Sequence, residues 1–183
     1  MDILTQTELG ILDWIRATFQ CAFLDWFFPL ITKLGDAGIF WIALALFLLI
    51  FKKTRKTGLM MGAALLLGLL VGNLTLKPWS ARVRPYDINT GVTLLVERLS
   101  DYSFPSGHTL ASFEGATVLM IRDRRMGIPA LVLAVLIALS RLYLYVHYPT
   151  DVLAGLILGI LFGFLGVRIV DAAASEIQKR KQK

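Results

Sequence analysis

The chain has 183 residues, of which 56% are hydrophobic and only 17% are charged, and its mean hydropathy is +0.67, which excludes an ordinary water-soluble domain. We attribute the net charge of +6 to membrane topology and to attraction for anionic lipid, and we expect no nucleic-acid binding. The single cysteine, Cys21, excludes a disulfide within the chain.

Residues 1–33 form the first predicted element. Apolar and aromatic side chains alternate there with charged ones, namely Asp2, Glu8, Asp13, Arg16 and Asp25. Acids that recur along a helix suit the membrane interface better than the bilayer centre. We therefore expect an interfacial helical segment on the outer surface, made of one or two in-plane helices broken near Pro29. The alternative, a sixth span with the N-terminus inside, stays open.

Five apolar runs of 17 to 20 residues follow. They cover residues 34–51, 58–76, 105–121, 127–146 and 152–170. About 20 residues of helix cross a hydrocarbon core of roughly 30 Å, so each run is close to the length of one span. The sequence therefore predicts an all-α, polytopic bundle of transmembrane helices with its core in residues 34–170.

Clusters of Lys and Arg set the predicted orientation of these spans. The clusters are Lys52, Lys53, Arg55 and Lys56; Arg122, Arg124 and Arg125; and Lys179, Arg180, Lys181 and Lys183. Short loops rich in Lys and Arg stay in the cytoplasm, which places residues 77–104 and 147–151 outside. Residues 171–183 are then a basic cytoplasmic tail. No linker separates the runs, so residues 1–183 form a single domain.

Two polar motifs flank the long outer loop. The first runs from Lys77 to Arg84-Pro85, and its cations could neutralise a phosphate or simply anchor a helix end at the interface. The second, residues 105–108, reads Pro-Ser-Gly-His and opens the third run. The first turn of a helix offers free backbone N–H groups to an anion, although a helix cap with a surface histidine explains this motif equally well.

The third motif joins the fourth and fifth runs and contains Arg141, His147 and Asp151. We expect Pro149 to end the fourth helix and to begin the fifth, with Asp151 in its first turn. A carboxylate there could fix the tautomer of His147 and free its other nitrogen to attack. A structural hydrogen bond is the alternative, but an arginine at membrane depth is costly and usually functional.

Together these motifs resemble the three signature motifs of the type 2 phosphatidic acid phosphatases, in order and in internal spacing. The residues that carry the resemblance are Lys77, Arg84, Pro85, Pro105, Ser106, Gly107, His108, Ser140, Arg141, His147 and Asp151. The resemblance extends over residues 34–170. It departs from many six-helix members at the N-terminus, where a clear first span is reduced or missing.

The resemblance implies a role for each residue. His147 would attack phosphorus and form a phosphohistidine, Asp151 would orient it, and His108 would protonate the leaving oxygen and later activate water. The phosphate oxygens would be held by Lys77, Arg84, Ser106, Gly107 and Arg141. No metal or other cofactor is expected, because the two histidines and Asp151 form no recognised ligand motif and the cations already supply a positive field.

The implied function is a metal-independent lipid phosphate or diphosphate phosphatase in the inner membrane of a bacterium, with its site facing the periplasm or outside. The expected partners are a phosphorylated lipid and the bilayer. Undecaprenyl diphosphate is the favoured substrate by family analogy, with phosphatidylglycerophosphate and phosphatidic acid as alternatives. A lipid phosphotransferase also stays open, and a small anion transporter is less favoured because the polar residues gather at one face.

Two features of the apolar runs are not explained by the motifs. Glu114 is an acid within the third run, and we expect it to face the bundle interior or a wet cavity. Gly155, Gly159 and Gly163 repeat every four residues in the fifth run, a spacing that lets helices approach closely. We expect them to pack within the monomer rather than to form a dimer seam, and the sequence leaves the oligomeric state open.

Overall fold

The computed structural model describes residues 2–181, so Lys183 of the predicted cytoplasmic tail lies outside the described residues. All regular structure in this part of the chain is helical. The helices are α1 Ile3–Phe19, α2 Ala22–Thr32, α3 Ile39–Ile50, α4 Arg55–Leu67, α5 Lys77–Ser80, α6 Pro85–Ile88, α7 Gly107–Arg122, α8 Arg124–Tyr143 and α9 Pro149–Lys181. A 3-10 segment, Lys33–Gly38, joins α2 to α3, and a π-helical segment, Gly68–Leu76, joins α4 to α5. The predicted all-α class is confirmed.

Within residues 2–181, four helical runs are long and apolar enough to cross a membrane. They are Ala22–Ile50, Arg55–Ile88, Arg124–Tyr143 and Pro149–Arg180. The predicted third span corresponds to α7, which has only 16 residues against the roughly 20 that a full crossing requires. Helix α7 is instead the most enclosed helix, packed between α4, α8 and α9 with nine buried residues. The span count of five stays a prediction.

The N-terminal segment differs from the expectation in two places. The helix is interrupted at Cys21, where the backbone is extended, whereas Pro29 lies inside α2. The first long apolar run also begins at Ala22 rather than at residue 34, although the non-helical residues Asp36 and Ala37 kink it between α2 and α3. Only α1 stands apart as a separate helix with an exposed apolar face that includes Ile11 and Trp14.

Close packing of α9 against α7 fixes the centre of the bundle. A Cβ at Gly155 would lie 2.7 Å from the Ser106 carbonyl oxygen, and one at Gly159 would lie 2.7 Å from the Leu110 carbonyl oxygen. Gly163 faces Thr117 one turn further along in the same way. The expectation that these glycines pack within the monomer is therefore confirmed, and the contact brings the starts of α7 and α9 together.

Candidate active site

The motif residues meet in one cavity of about 1270 Å³. Six of the eight predicted site residues line it: Lys77, Arg84, Gly107, His108, Arg141 and His147. Both imidazoles therefore open into the same space, although their motifs lie far apart in sequence. The two other predicted residues, Ser106 and Asp151, are fully buried behind the cavity wall.

A tight turn between α8 and α9 presents His147 to the cavity. Helix α8 ends at Tyr143, so the expectation that Pro149 would end it is wrong. Tyr145, four residues before Pro149, adopts a left-handed backbone with φ of 62°, which costs about 1–2 kcal/mol for a residue with a side chain. The expectation that Asp151 lies in the first turn of α9 is confirmed.

Helix α1 supports this turn from the outside. Leu9 and Leu12 pack in one apolar cluster with Leu144, Tyr145 and Val146. The Tyr145 hydroxyl also donates to Asp13 of α1 at 2.7 Å. Burial of the turn against α1 offsets the strained backbone of Tyr145, because each large apolar side chain that leaves water contributes about 1.5–3 kcal/mol.

The hydrogen bonds of His147 define its tautomer. Its Nε2 lies 3.2 Å from Nη1 of Arg84, and a guanidinium can only donate, so Nε2 carries the lone pair. The proton then sits on Nδ1, which lies 3.4 Å from Oδ2 of Asp151 without forming a hydrogen bond to it. Burial, followed by the charges of Arg84 and Arg141, holds the pKa of His147 well below its usual range. The ring is therefore neutral, with a lone pair at the cation that borders it.

Asp151 is held in place by three hydrogen-bond donors, none of which is the imidazole. Its Oδ2 accepts from the Ser103 hydroxyl at 2.5 Å and from the Tyr148 backbone N–H at 2.9 Å. Its Oδ1 accepts from Arg82 at 2.6 Å. These bonds fix the carboxylate so that its position does not depend on His147.

Glu8 of α1 completes this network from the buried side. It pairs with the second terminal nitrogen of Arg82, and it accepts from the backbone N–H of Thr150 at 2.8 Å. The side chain of Glu8 is only 3% exposed, so the pair is shielded from water and salt. Through Arg82, the first helix is linked to Asp151.

Arg141 offers a fork of unpaired donors. Its Nη1 donates to the Thr32 hydroxyl, whereas Nε and Nη2 find no partner among residues 2–181, although the side chain is almost fully buried. These two nitrogens lie on one edge of the guanidinium and match two oxygens of a phosphate. Because an unpaired buried donor is costly, this arrangement indicates an anion site.

Asp101 bridges the two other cations of the site. Its Oδ1 accepts from Nη2 of Arg84 at 2.6 Å, and its Oδ2 pairs with Lys77. Partial burial alone would raise the pKa of Asp101, but the hydrogen bonds and charges of Lys77 and Arg84 outweigh it and lower the pKa to about 2. A carboxylate therefore lies between two residues that the motifs assign to phosphate.

The residues of the second motif, Ser106, Gly107 and His108, do not all face the cavity. The Ser106 hydroxyl caps α7 by accepting from the Thr109 N–H and lies 3.0 Å from the Thr109 hydroxyl, so it faces the helix rather than the cavity. Gly107 lies against Asn73, whose side-chain oxygen would be 3.0 Å from a Cβ at that position. His108 lines the cavity, and its Nε2 lies 2.8 Å from Oδ1 of Asp36.

Glu114 lines the deeper part of the same cavity and is 1% exposed, so the expectation that it faces the bundle interior or a wet cavity is confirmed. It lies beside Gly68, where the π-helical segment begins. Its Oε1 has no hydrogen-bond partner in the part of the chain that the structure describes.

Four site residues were not predicted from the sequence: Glu8, Asp36, Asp101 and Ser103. Asp36 and Asp101 could have been recognised from the sequence, because each is an acid close to an apolar run on the same predicted side of the membrane as the motifs. Arg82 lay within the first motif but had no assigned role. Glu8 and Ser103 could not be recognised, because their partners lie far away in sequence and leave no local pattern.

The arrangement can hold a tetrahedral anion between fixed cations and present a neutral nitrogen lone pair to it. An imidazole with a carboxylate partner lies in the same space and can exchange a proton. These are the parts that a phosphoryl transfer through a histidine requires.

Known proteins with similar sequence and fold fit this chemistry. The chain is 37% identical to the undecaprenyl-diphosphatase of Sulfolobus acidocaldarius over 82% of its own length and 72% of that protein. The crystal structure of Aquifex aeolicus LpxE aligns with a TM-score of 0.78 and 29% identity, over 88% of this chain and 95% of that one. The structure of a PAP2 type phosphatidylglycerolphosphate phosphatase from Bacillus subtilis aligns with a TM-score of 0.74 and 30% identity, over 94% and 88%. The family model of the PAP2 superfamily matches residues 56–174, and the chain belongs to this family.

Proposed function

We propose that the protein is an integral membrane phosphatase that removes phosphate from a phosphorylated lipid through a phosphohistidine on His147. The observation that carries this proposal is the contact of Nε2 with Arg84, which leaves the lone pair of a neutral ring at the phosphate-binding cations. Asp151 orients the ring from the opposite nitrogen. Fixed positioning of this kind lowers the barrier because the nucleophile and the phosphate need no further ordering.

In the first step, Nε2 of His147 forms a bond to phosphorus while the bond to the lipid oxygen breaks, and His108 gives a proton to that oxygen. In the second step, His108 takes a proton from water, and the resulting hydroxide displaces His147 and releases phosphate. Lys77, Arg84 and Arg141 offset the negative charge of the five-coordinate transition state.

We propose that this chemistry proceeds without a metal ion. Three cationic side chains surround the place where the phosphate would bind, and they supply the positive field for which other phosphatases use divalent cations. Phosphate release should therefore continue in excess EDTA. Vanadate should inhibit, because it adopts the five-coordinate geometry of the transition state. Activity that returned only on addition of magnesium would contradict this part of the proposal.

The shape of the cavity supports a lipid substrate. Lys77, Arg84 and Arg141 line the cavity together with apolar residues such as Ile42 and Leu65. The same two residues also line an apolar groove of about 220 Å³ between α3 and α4. A phosphate at the cations would thus have its hydrocarbon tail directed toward the bilayer, as an amphiphilic substrate requires.

Undecaprenyl diphosphate is the substrate that we favour. The Sulfolobus relative, an undecaprenyl-diphosphatase, supports it, while the Bacillus structure supports phosphatidylglycerophosphate as the alternative. Phosphatidic acid is the third candidate. A panel of the three lipids assayed at equal surface concentration would separate them, and a higher kcat/KM for phosphatidylglycerophosphate than for the diphosphate would contradict our choice.

We further propose that the site faces the outside of the cell and that the C-terminus is cytoplasmic, as the basic clusters predict. The single cysteine provides the test, since Cys21 is exposed and lies at the junction of α1 with α2. A membrane-impermeant maleimide added to intact cells should label Cys21. Labelling only after the cells are lysed would indicate the opposite orientation and contradict this proposal.

The nucleophile is tested with His147→Ala. Phosphate release from a short-chain lipid phosphate in detergent should fall by about 10³-fold or more. Arg98→Ala is the matched control, because Arg98 is an exposed cation of the outer loop that pairs with Asp87. The control should retain activity. A His147→Ala protein with more than a tenth of the wild-type rate would refute the assignment.

A further inference from the structure

Asp36 lies at the joint between two helices and points its carboxylate at α7. The joint is strained, because Ala37 and Gly38 both adopt left-handed backbones with φ of 48° and 66°. The left-handed conformation costs a residue other than glycine, here Ala37, roughly 1–3 kcal/mol, and it persists only where the surrounding structure imposes it. The kink at this joint brings Asp36 to His108, which lies 72 positions away in sequence.

The imidazole of His108 is held on two sides by this joint. Its Nε2 lies 2.8 Å from Oδ1 of Asp36. The preceding residue, Gly35, lies against the face of the ring, where a Cβ would be 3.1 Å from Cγ and 2.6 Å from Cδ2. Both Asp36 and His108 line the cavity. Two consecutive residues of the joint therefore set the position and the rotation of one ring.

The contact also determines which nitrogen can exchange a proton. A carboxylate accepts, so Nε2 carries a hydrogen that it donates to Asp36. Proton transfer to and from the substrate then falls to Nδ1. When Nδ1 is also protonated, the imidazolium lies beside a carboxylate that stabilises its charge. We propose a similar arrangement for Asp151 and His147, with the opposite nitrogen in each role.

We propose that Asp36 is the positioning residue of the proton-transfer step, which orients His108 through Nε2 and stabilises its imidazolium while Nδ1 delivers a proton to the leaving oxygen. The inference rests on the proposed phosphatase function and adds a second histidine–carboxylate pair to it. In the first step, the Nδ1–H bond breaks and the proton goes to the leaving oxygen. That oxygen leaves phosphorus as the alcohol of a monoester or as the lipid monophosphate of a diphosphate. In the second step, Nδ1 regains a proton from the attacking water.

Leaving groups of different quality test this role. An alkyl phosphate, such as a short-chain phosphatidic acid, expels a poor leaving group that needs the proton, whereas p-nitrophenyl phosphate expels a stable phenolate that does not. In Asp36→Asn, kcat/KM for the alkyl substrate should fall by about tenfold or more, while kcat/KM for the aryl substrate should stay within about threefold of wild type. The ratio of the two constants is independent of the amount of folded enzyme.

Asp25→Asn is the matched control, since Asp25 lies on α2 and accepts from the Tyr143 hydroxyl at 2.6 Å. Its ratio should equal that of wild type. Asp36→Glu should restore part of the ratio, because it returns a carboxylate to the joint. A ratio unchanged in Asp36→Asn, whether or not both constants fall, would overturn the role of Asp36. A wild-type protein that hydrolyses neither substrate would instead refute the proposed function.

Discussion

Replacement of Asp101 by asparagine should weaken the fold and strengthen phosphate binding at the same time. The carboxylate bridges Lys77 and Arg84, so it stabilises the native state by pairing with the cations that a phosphate needs. Asparagine keeps the size of the side chain and removes its charge. The two cations are then released for the substrate.

The magnitude follows from the pKa of Asp101. A fall from the ordinary 3.8 to about 2 corresponds to roughly 2 kcal/mol. Because half of the side chain is exposed, solvent screening reduces this to about 1 kcal/mol. The folded state binds this proton less tightly than the unfolded state, so the contribution is complete above pH 3.8 and is lost as the pH falls toward 2.

Two assays on purified protein in detergent measure these effects. The free energy of unfolding of Asp101→Asn at pH 7 should be about 1 kcal/mol below that of wild type, and the difference should shrink below pH 3.8. The inhibition constant for inorganic phosphate should fall by about fivefold, which is the same free energy expressed as affinity. Asp87→Asn, which removes an exposed carboxylate paired only with Arg98 among the described residues, should change neither quantity. Phosphate that binds Asp101→Asn no more tightly than wild type would refute the idea that Asp101 competes for these cations.

Three further predictions address other parts of the site. Arg141→Lys should lower kcat/KM by about 10²-fold, because lysine cannot present two parallel donors; a loss of less than threefold would contradict the proposed fork. In a His108→Gln protein, His147 is the remaining histidine, and its ring-nitrogen chemical shifts should report a neutral imidazole at pH 6; a titration midpoint near 6.5 would be inconsistent with its lowered pKa. Glu8→Ala should lower the free energy of unfolding by about 3 kcal/mol, since Arg82 and Thr150 lose a buried partner; an unchanged melting temperature would show that α1 does not support α9.

The motifs predicted six of the residues that line the cavity, because each motif is a short stretch of sequence. Lys77 and Arg84 end one helical run, Gly107 and His108 begin another, and Arg141 and His147 flank one turn. Hydropathy in turn predicted the helical class and the positions of the apolar runs. The sequence was therefore sufficient to predict a site residue where that residue belongs to a short motif at the end of a helix.

The remaining features depend on backbone conformation and on distant pairs. Asp36 reaches His108 only because Ala37 and Gly38 are left-handed, a conformation that the sequence Asp-Ala-Gly does not announce. The early end of α8 likewise depends on the left-handed Tyr145, which burial against α1 supports. The predicted run of residues 105–121 agrees closely with α7, but the surrounding helices bury α7, so its apolar character reflects protein packing.

The central claim is that phosphate passes through His147. Enzyme turning over a short-chain lipid phosphate can be quenched in alkaline detergent, where phosphohistidine survives, and digested for mass spectrometry. We expect one phosphorylated peptide, carrying the group on His147, to form at least as fast as free phosphate is released. Release of phosphate with no phosphorylated peptide, or with the group on His108 instead, would contradict the account.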